Sequence, residues 1–165
     1  MKNTLLFLFF IALFLVFGFA AMAQTPTDQS ADTLSQEQKE VIKPIEQLFE
    51  GMFKGDSSMI RAAFYKNPTL RTITKNKKTD EQLADSKLED FLVTIATPHD
   101  QPYIEKVLSY DIKIDDNLAQ VWTPYEFYVG EMFSHCGVNA FHIIQTEEGW
   151  KIIGITDTRR REGCK

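Results

Sequence analysis

The chain has 165 residues, a formal net charge of −5 and 44% hydrophobic residues, which is enough for one domain and hardly two. The acidic balance excludes a nucleic-acid binder, which needs a basic face to displace phosphate counterions. Two cysteines and three histidines in no ligand-like spacing make a poor metal site.

The first 23 residues read as an export signal. Lys2 gives a positive start, Leu5 to Ala20 is almost wholly apolar, and Ala21-Met22-Ala23 fits a small-x-small cleavage pattern. A retained anchor is the competing reading. The apolar run is short for about 30 Å of hydrocarbon, and no stop-transfer cluster follows it. Loss of this leader, whose one charge is Lys2, takes the net charge from −5 to −6. The expected location is periplasmic or secreted, with no membrane attachment after cleavage. Residues 24–35 are polar and read as a disordered lead-in. Residues 36–165 then read as a single domain.

From Ser35 to Lys54 the apolar residues Val41, Ile45, Leu48, Phe49, Met52 and Phe53 recur at helical steps. Pro44 marks a kink or the true first turn, and Gly55 a stop. Asp56 or Ser57 caps a short helix over 58–64, with Met59, Ile60 and Phe64 inward, and Tyr65 to Pro68 ends it. Thr69 to Thr74 alternates as a short strand. Lys75 to Asp80 is a polar turn, its basic residues a solvated loop. Ser86 is a candidate cap for a helix over 87–96, stopped by Pro98.

The period changes to two at Tyr103. One strand is expected over 103–115, a turn at Asp116-Asn117, a long strand over 118–132, and a final strand pair around Glu147-Glu148-Gly149. Pro124 inside the long strand implies an edge or a bulge. The fold class is therefore α+β: a curved, mostly antiparallel sheet with about three N-terminal helices packed on its concave face.

This order at this length resembles the nuclear transport factor 2-like superfamily, the α+β cone of ketosteroid isomerases and polyketide cyclases. The run Trp122-Thr-Pro-Tyr-Glu-Phe-Tyr, then Ser134-His-Cys-Gly, Gly149-Trp-Lys-Ile and Asp157-Thr-Arg-Arg looks like an exported bacterial branch. Members of that branch are labelled lumazine-binding or polyketide-cyclase-like (SnoaL-like). The resemblance implies a pocket between helices and sheet, and often a homodimer. Activities across the superfamily diverge, so the fold alone does not name one.

In the final pair, setting Thr146 opposite Trp150 places Asn139 opposite Asp157, Phe141 opposite Ile155 and Cys136 opposite Arg160. Side chains alternate. One face then carries His135, Asn139, Phe141, Ile143, Ile153, Ile155, Asp157 and Arg159. The other carries Cys136, Val138, Ala140, His142, Ile144, Trp150, Ile152 and Thr156. Both faces are apolar, so helices cover one and either a second subunit or the chain's own helix or tail the other.

The mixed face reads as a pocket. Its candidate ligand-binding residues are Tyr125, Phe127, His135, Asn139, Phe141, Asp157 and Arg159. Arg159 beside Asp157 favours an ion pair over a general base, a pairing of Asp157 with His135 being the alternative. His142, in an apolar run, reads as packed or at an interface. Cys136 and Cys164 form the expected disulfide of an exported chain.

No phosphate loop, nucleophile elbow or dinucleotide fingerprint is present, so no cofactor is expected. The leading functional expectation is an exported domain binding a small apolar or aromatic molecule without turnover. The alternatives are a cofactor-free isomerase, cyclase or dehydratase using Asp157 or His135 with Tyr125 as donor, and a non-catalytic interaction scaffold.

Overall fold

In a computed structural model, the described residues are 34–74 and 83–164. The leader, most of the lead-in and the Lys75–Asp80 turn lie outside them.

Helix α1 spans Gln36–Lys54. Ser35 and Gln38 cap it reciprocally: the Ser35 hydroxyl accepts the Gln38 N–H at 3.2 Å, and the Gln38 side chain accepts the Ser35 N–H at 2.9 Å. Gly55 ends it in the left-handed conformation, at φ +68°. The helix runs through Pro44 rather than starting there, and Pro44 is buried. Val41, Ile45, Leu48 and Met52 form the inward stripe, while Phe53 lies off it and is exposed. Helix α2 spans Ser57–Ala63, and the Asp56 carboxylate caps it by accepting the Met59 N–H at 2.9 Å.

Strand β1 spans Phe64–Ile73. Phe64 therefore opens a strand instead of closing a helix. Tyr65 to Pro68 is an irregularity inside β1, where the register shifts and Asn67 adopts φ 50°. Strand β2, Leu83–Ser86, pairs antiparallel with β1. Its four residues are all exposed and lack the apolar alternation that marks a strand in sequence. Ser86 belongs to this strand and caps nothing; helix α3, Leu88–Ala96, starts after Lys87 without a side-chain cap.

The expected single strand over 103–115 is two, β3 (Tyr103–Val107) and β4 (Asp111–Asp115). Both pair with the same long strand β5 (Leu118–Val129). Pro124 sits where the partner of β5 changes from β4 to β3, and its carbonyl accepts the Leu108 N–H at 2.9 Å. The break, rather than an edge or a bulge, accommodates a residue with no N–H.

Strands β6 (Met132–Thr146) and β7 (Gly149–Thr158) complete a seven-stranded sheet of order β2-β1-β7-β6-β5-β3, with β4 beside β5. Among the described residues every strand pairing is antiparallel except β1 with β7. The sheet and three helices are the α+β arrangement expected.

The β6–β7 register follows the expected pairing from Asn139–Asp157 to His142–Gly154, then slips by one residue. At the turn Thr146 faces Gly149 and Gln145 faces Trp150. The slip is a bulge on β7, and it moves side chains between faces. Trp150 and Ile152 join the core with Phe141 and Ile143, and Ile153, assigned to that face from sequence, leaves it. The core lies between the α1 stripe, Ile60 and Ala63 of α2, Leu88, Leu92 and Ile95 of α3, and the inward residues of β5, β6 and β7. No helix among the described residues is long and apolar enough to cross a membrane.

Candidate functional site

A cavity of about 470 Å³ lies between the helices and the inner sheet face. Its apolar wall includes Leu48, Phe49 and Met52 of α1, Phe91 and Ile95 of α3, and Phe141 and Ile155 of the sheet. All seven residues chosen from the sequence line it: Tyr125, Phe127, His135, Asn139, Phe141, Asp157 and Arg159. Register is what brings them together, since Phe127 pairs with His135, Tyr125 with Gly137 and Asn139 with Asp157.

Gly137 is where the backbone must come close. A Cβ there would sit 1.8 Å from the Thr158 carbonyl oxygen and 2.9 Å from the Tyr125 ring. The space a side chain would occupy is instead used by Tyr125, whose hydroxyl donates to the Thr158 carbonyl at 3.0 Å. Burial, then the nearby Asp157 and Glu105, push the Tyr125 phenol above its ordinary value. It stays protonated, a donor already in use.

Asp157 is held from three sides. Thr72 donates to Oδ1 at 2.6 Å, Arg159 Nε to Oδ2 at 2.8 Å, and the Tyr125 hydroxyl lies 3.5 Å from Oδ2. The pairing with Arg159 is the one present. His135 instead sets Nδ1 3.0 Å from the Ser134 hydroxyl, its ring tilted against Phe127 at 4.9 Å and edge-on to Tyr125 at 5.8 Å. Burial first, then the positive charge of Arg159, hold the imidazole below its usual value. Both effects favour the neutral ring.

The sequence reading missed Glu105. It lies on β3, lines the cavity, and accepts the Asn139 Nδ2–H on Oε1 at 2.6 Å. Asn139 also donates to the buried Thr123 hydroxyl at 3.4 Å. Burial drives the Glu105 carboxyl up to about 7; Asp157 adds to this, while the Asn139 bond and Arg159 oppose it. A signal was present in the chain. Tyr103, Glu105 and Val107 alternate on one face of a strand, which sets a carboxyl among apolar side chains.

His142, expected to pack or lie at an interface, is exposed on the outer face of β6. Among the described residues it joins no core cluster; it pairs with Gly154 and Gln120 across the sheet. The disulfide joins Cys136 to Cys164 with Cα atoms 5.8 Å apart. Alternation puts it on the opposite side of β6 from His135. Backbone bonds of 2.9 Å in both directions between Cys136 and Arg160 extend the β6–β7 ladder into the tail. Among the described residues, no three His, Cys, Asp or Glu side chains gather so as to hold a metal ion.

A curved sheet cradling helices around such a cavity is the cone of the nuclear transport factor 2-like superfamily. Residues 36–155 match the family described as "Putative lumazine-binding", and the chain belongs to that family. Several solved structures share the fold. A protein of unknown function from Shewanella baltica is 17% identical, with a TM-score of 0.59 over 79% of this chain and 99% of that one. A Streptomyces avermitilis protein described as a "putative dehydratase" is 11% identical, with a TM-score of 0.58 over 74% and 94%. A cystatin-like-fold protein from Novosphingobium aromaticivorans is 10% identical, with a TM-score of 0.61 over 77% and 83%. Likeness at these identities is a likeness of fold. No curated protein matches the chain.

Proposed function

We propose that this chain is an exported domain that binds a small, partly apolar molecule without turning it over. The observation that carries the reading is the cavity. Its volume of about 470 Å³ falls in the range of ligand sites, and its apolar wall meets a few converging polar groups. The arrangement supports binding over a scaffold, whose interior its own side chains would fill. Export rests on the leader pattern, and the Cys136–Cys164 bond accords with an oxidising compartment. Leu118 and Trp122 are exposed on the outer sheet face, and this face is read as the contact of a homodimer.

Native mass spectrometry on protein purified from its own host tests the reading. A co-purifying small molecule that is lost on widening the site with Phe141→Ala supports it. An empty protein that binds nothing from a host metabolite extract refutes it. Light scattering at micromolar concentration tests the dimer, and a monomer mass contradicts it.

One observation favours a second reading, an acid–base isomerase, cyclase or dehydratase. Glu105, with its carboxyl near 7, is poised between donor and acceptor at neutral pH. It suits that role better than Asp157, which Thr72 and Arg159 engage, or His135. Deuterium exchange from heavy water into a bound carbonyl compound, lost in Glu105→Gln, would establish it; exchange unchanged in that variant would exclude it.

A further inference from the structure

The charges lining the cavity do not balance. Arg159 is paired with Asp157 at 2.8 Å, and Arg71 with Asp85 at 2.8 Å. Tyr125 spends its proton on Thr158, and Asn139 spends its amide protons on Glu105 and Thr123. Glu105 Oε1 takes the Asn139 bond, while Oε2 has no partner among the described residues. No buried side-chain oxygen or nitrogen among them is left unpartnered, so Oε2 is open to the cavity it lines. Asp90, from α3, adds a third acidic side chain to a lining that already holds Glu105 and Asp157.

Phe127, the cross-strand partner of Glu105, belongs to an aromatic wall of the same cavity. The rings of Tyr103, Phe127, His135 and Tyr125 follow one another at centroid spacings of 5.9, 4.9 and 5.8 Å. Ring faces attract cations, and more so when water is excluded. A carboxylate with one open oxygen in a cavity lined by aromatic rings is complementary to a positive charge on an apolar body. A ligand carboxylate would instead meet Glu105 and Asp157, and its one seat would be the Nη groups of Arg159 and Arg71, each of which bonds its acid through Nε alone.

We propose that the cavity selects an amine: a protonated nitrogen seated against Glu105 Oε2, carried on an apolar body that packs on Tyr103, Phe127 and Phe141. This rests on the binding reading above and names its ligand class. The charged groups facing Glu105 are Asp157 and Arg159 from β7 and its extension, with Asp90 of α3 and Arg71 of β1 on the same cavity wall and the His135 ring of β6, whose charged form burial and Arg159 disfavour. Ionisation of Glu105 is therefore the event that switches the seat on. Affinity for an amine rises with pH through about 7 and falls again only when the amine loses its own proton.

Tryptamine, its neutral analogue tryptophol and its anionic analogue indole-3-propionate, titrated calorimetrically into the purified disulfide-bonded protein, test this. At about pH 8 tryptamine binds roughly 10- to 100-fold tighter than tryptophol, the effect expected of one charge-assisted bond. Glu105→Gln, which keeps an acceptor for Asn139, removes the margin of tryptamine over tryptophol. If tryptamine shows no margin, if the margin survives Glu105→Gln, or if the propionate binds tightest, amine selection is wrong while the binding reading stands. If none of the probes binds at about 1 mM, amine selection falls, while the binding reading is decided by the host metabolite extract.

Discussion

Replacing Glu105 with glutamine isolates the cost of keeping a carboxyl in an apolar cavity. Glutamine has the same shape and retains an oxygen for the Asn139 amide, whose bond to Glu105 is 2.6 Å. The Glu105 carboxyl sits at about 7 against an ordinary 4.5, chiefly through burial. Between those values the folded protein holds a proton that the unfolded chain has released. The folded state binds more protons, so its stability falls as pH rises. The loss begins near pH 4.5, runs through about 7, and is flat above. At about 1.4 kcal/mol per pH unit the whole step is about 3 kcal/mol.

Glutamine does not titrate, so the variant lacks this step. At about pH 4.5 the two proteins should match closely in stability. At about pH 8.5 Glu105→Gln should be the more stable by up to about 3 kcal/mol, roughly 10 °C in melting temperature. Urea denaturation across that range, read by tryptophan fluorescence, gives both curves. Only their difference matters, because the other titrating groups are common to both. Parallel curves would refute the reasoning: the carboxyl would then be as well solvated folded as unfolded, and the cavity around it wet.

Asp157→Asn tests the other carboxylate. It loses the charge that Arg159 and Thr72 converge on and should cost roughly 2 kcal/mol, whereas an unchanged melting temperature would deny the structural network. Replacing Cys136 and Cys164 by serine opens a loop of 28 residues' separation and should lower stability by about 3–4 kcal/mol in denaturant. Two reactive thiols in unfolded, unreduced protein would contradict the bond itself. Gly137→Ala drives a Cβ to within 1.8 Å of the Thr158 carbonyl oxygen and should cost about 3 kcal/mol or more, or leave the protein insoluble. Wild-type melting of that variant would show that β6 and β7 are not held as closely as described.

Much of the fold is written in local pattern. The α1 stripe, its Ser35 start and Gly55 stop, the Asp56 cap and the period-two strands after Tyr103 all follow from residue types at fixed spacings. The misses share a cause. Strand β2 has no apolar face to announce it, since it lies at the edge with all four residues exposed. The break between β3 and β4 is invisible in alternation because Tyr110 and Ile112 carry the apolar pattern past it. The bulge on β7 inserts one residue, and the pattern of Ile152, Ile153 and Ile155 reads equally well either way.

The sequence by itself determined which side chains could serve a pocket on the last two strands, and the register near Asp157 was legible because Asn139, Phe141, Ile155 and Asp157 alternate without interruption there. It also determined the cysteine pair. Only the tertiary structure decided which groups are spent and which are free. Asp157 looked like the acid of the site and is held by its neighbours. Glu105, from a strand 34 residues before Asn139, arrives beside it because β3 pairs with β5 and β5 with β6. Spacing along the chain cannot convey that convergence. It depends on strand order across the sheet, and the loss of water around a carboxyl depends on what the helices cover.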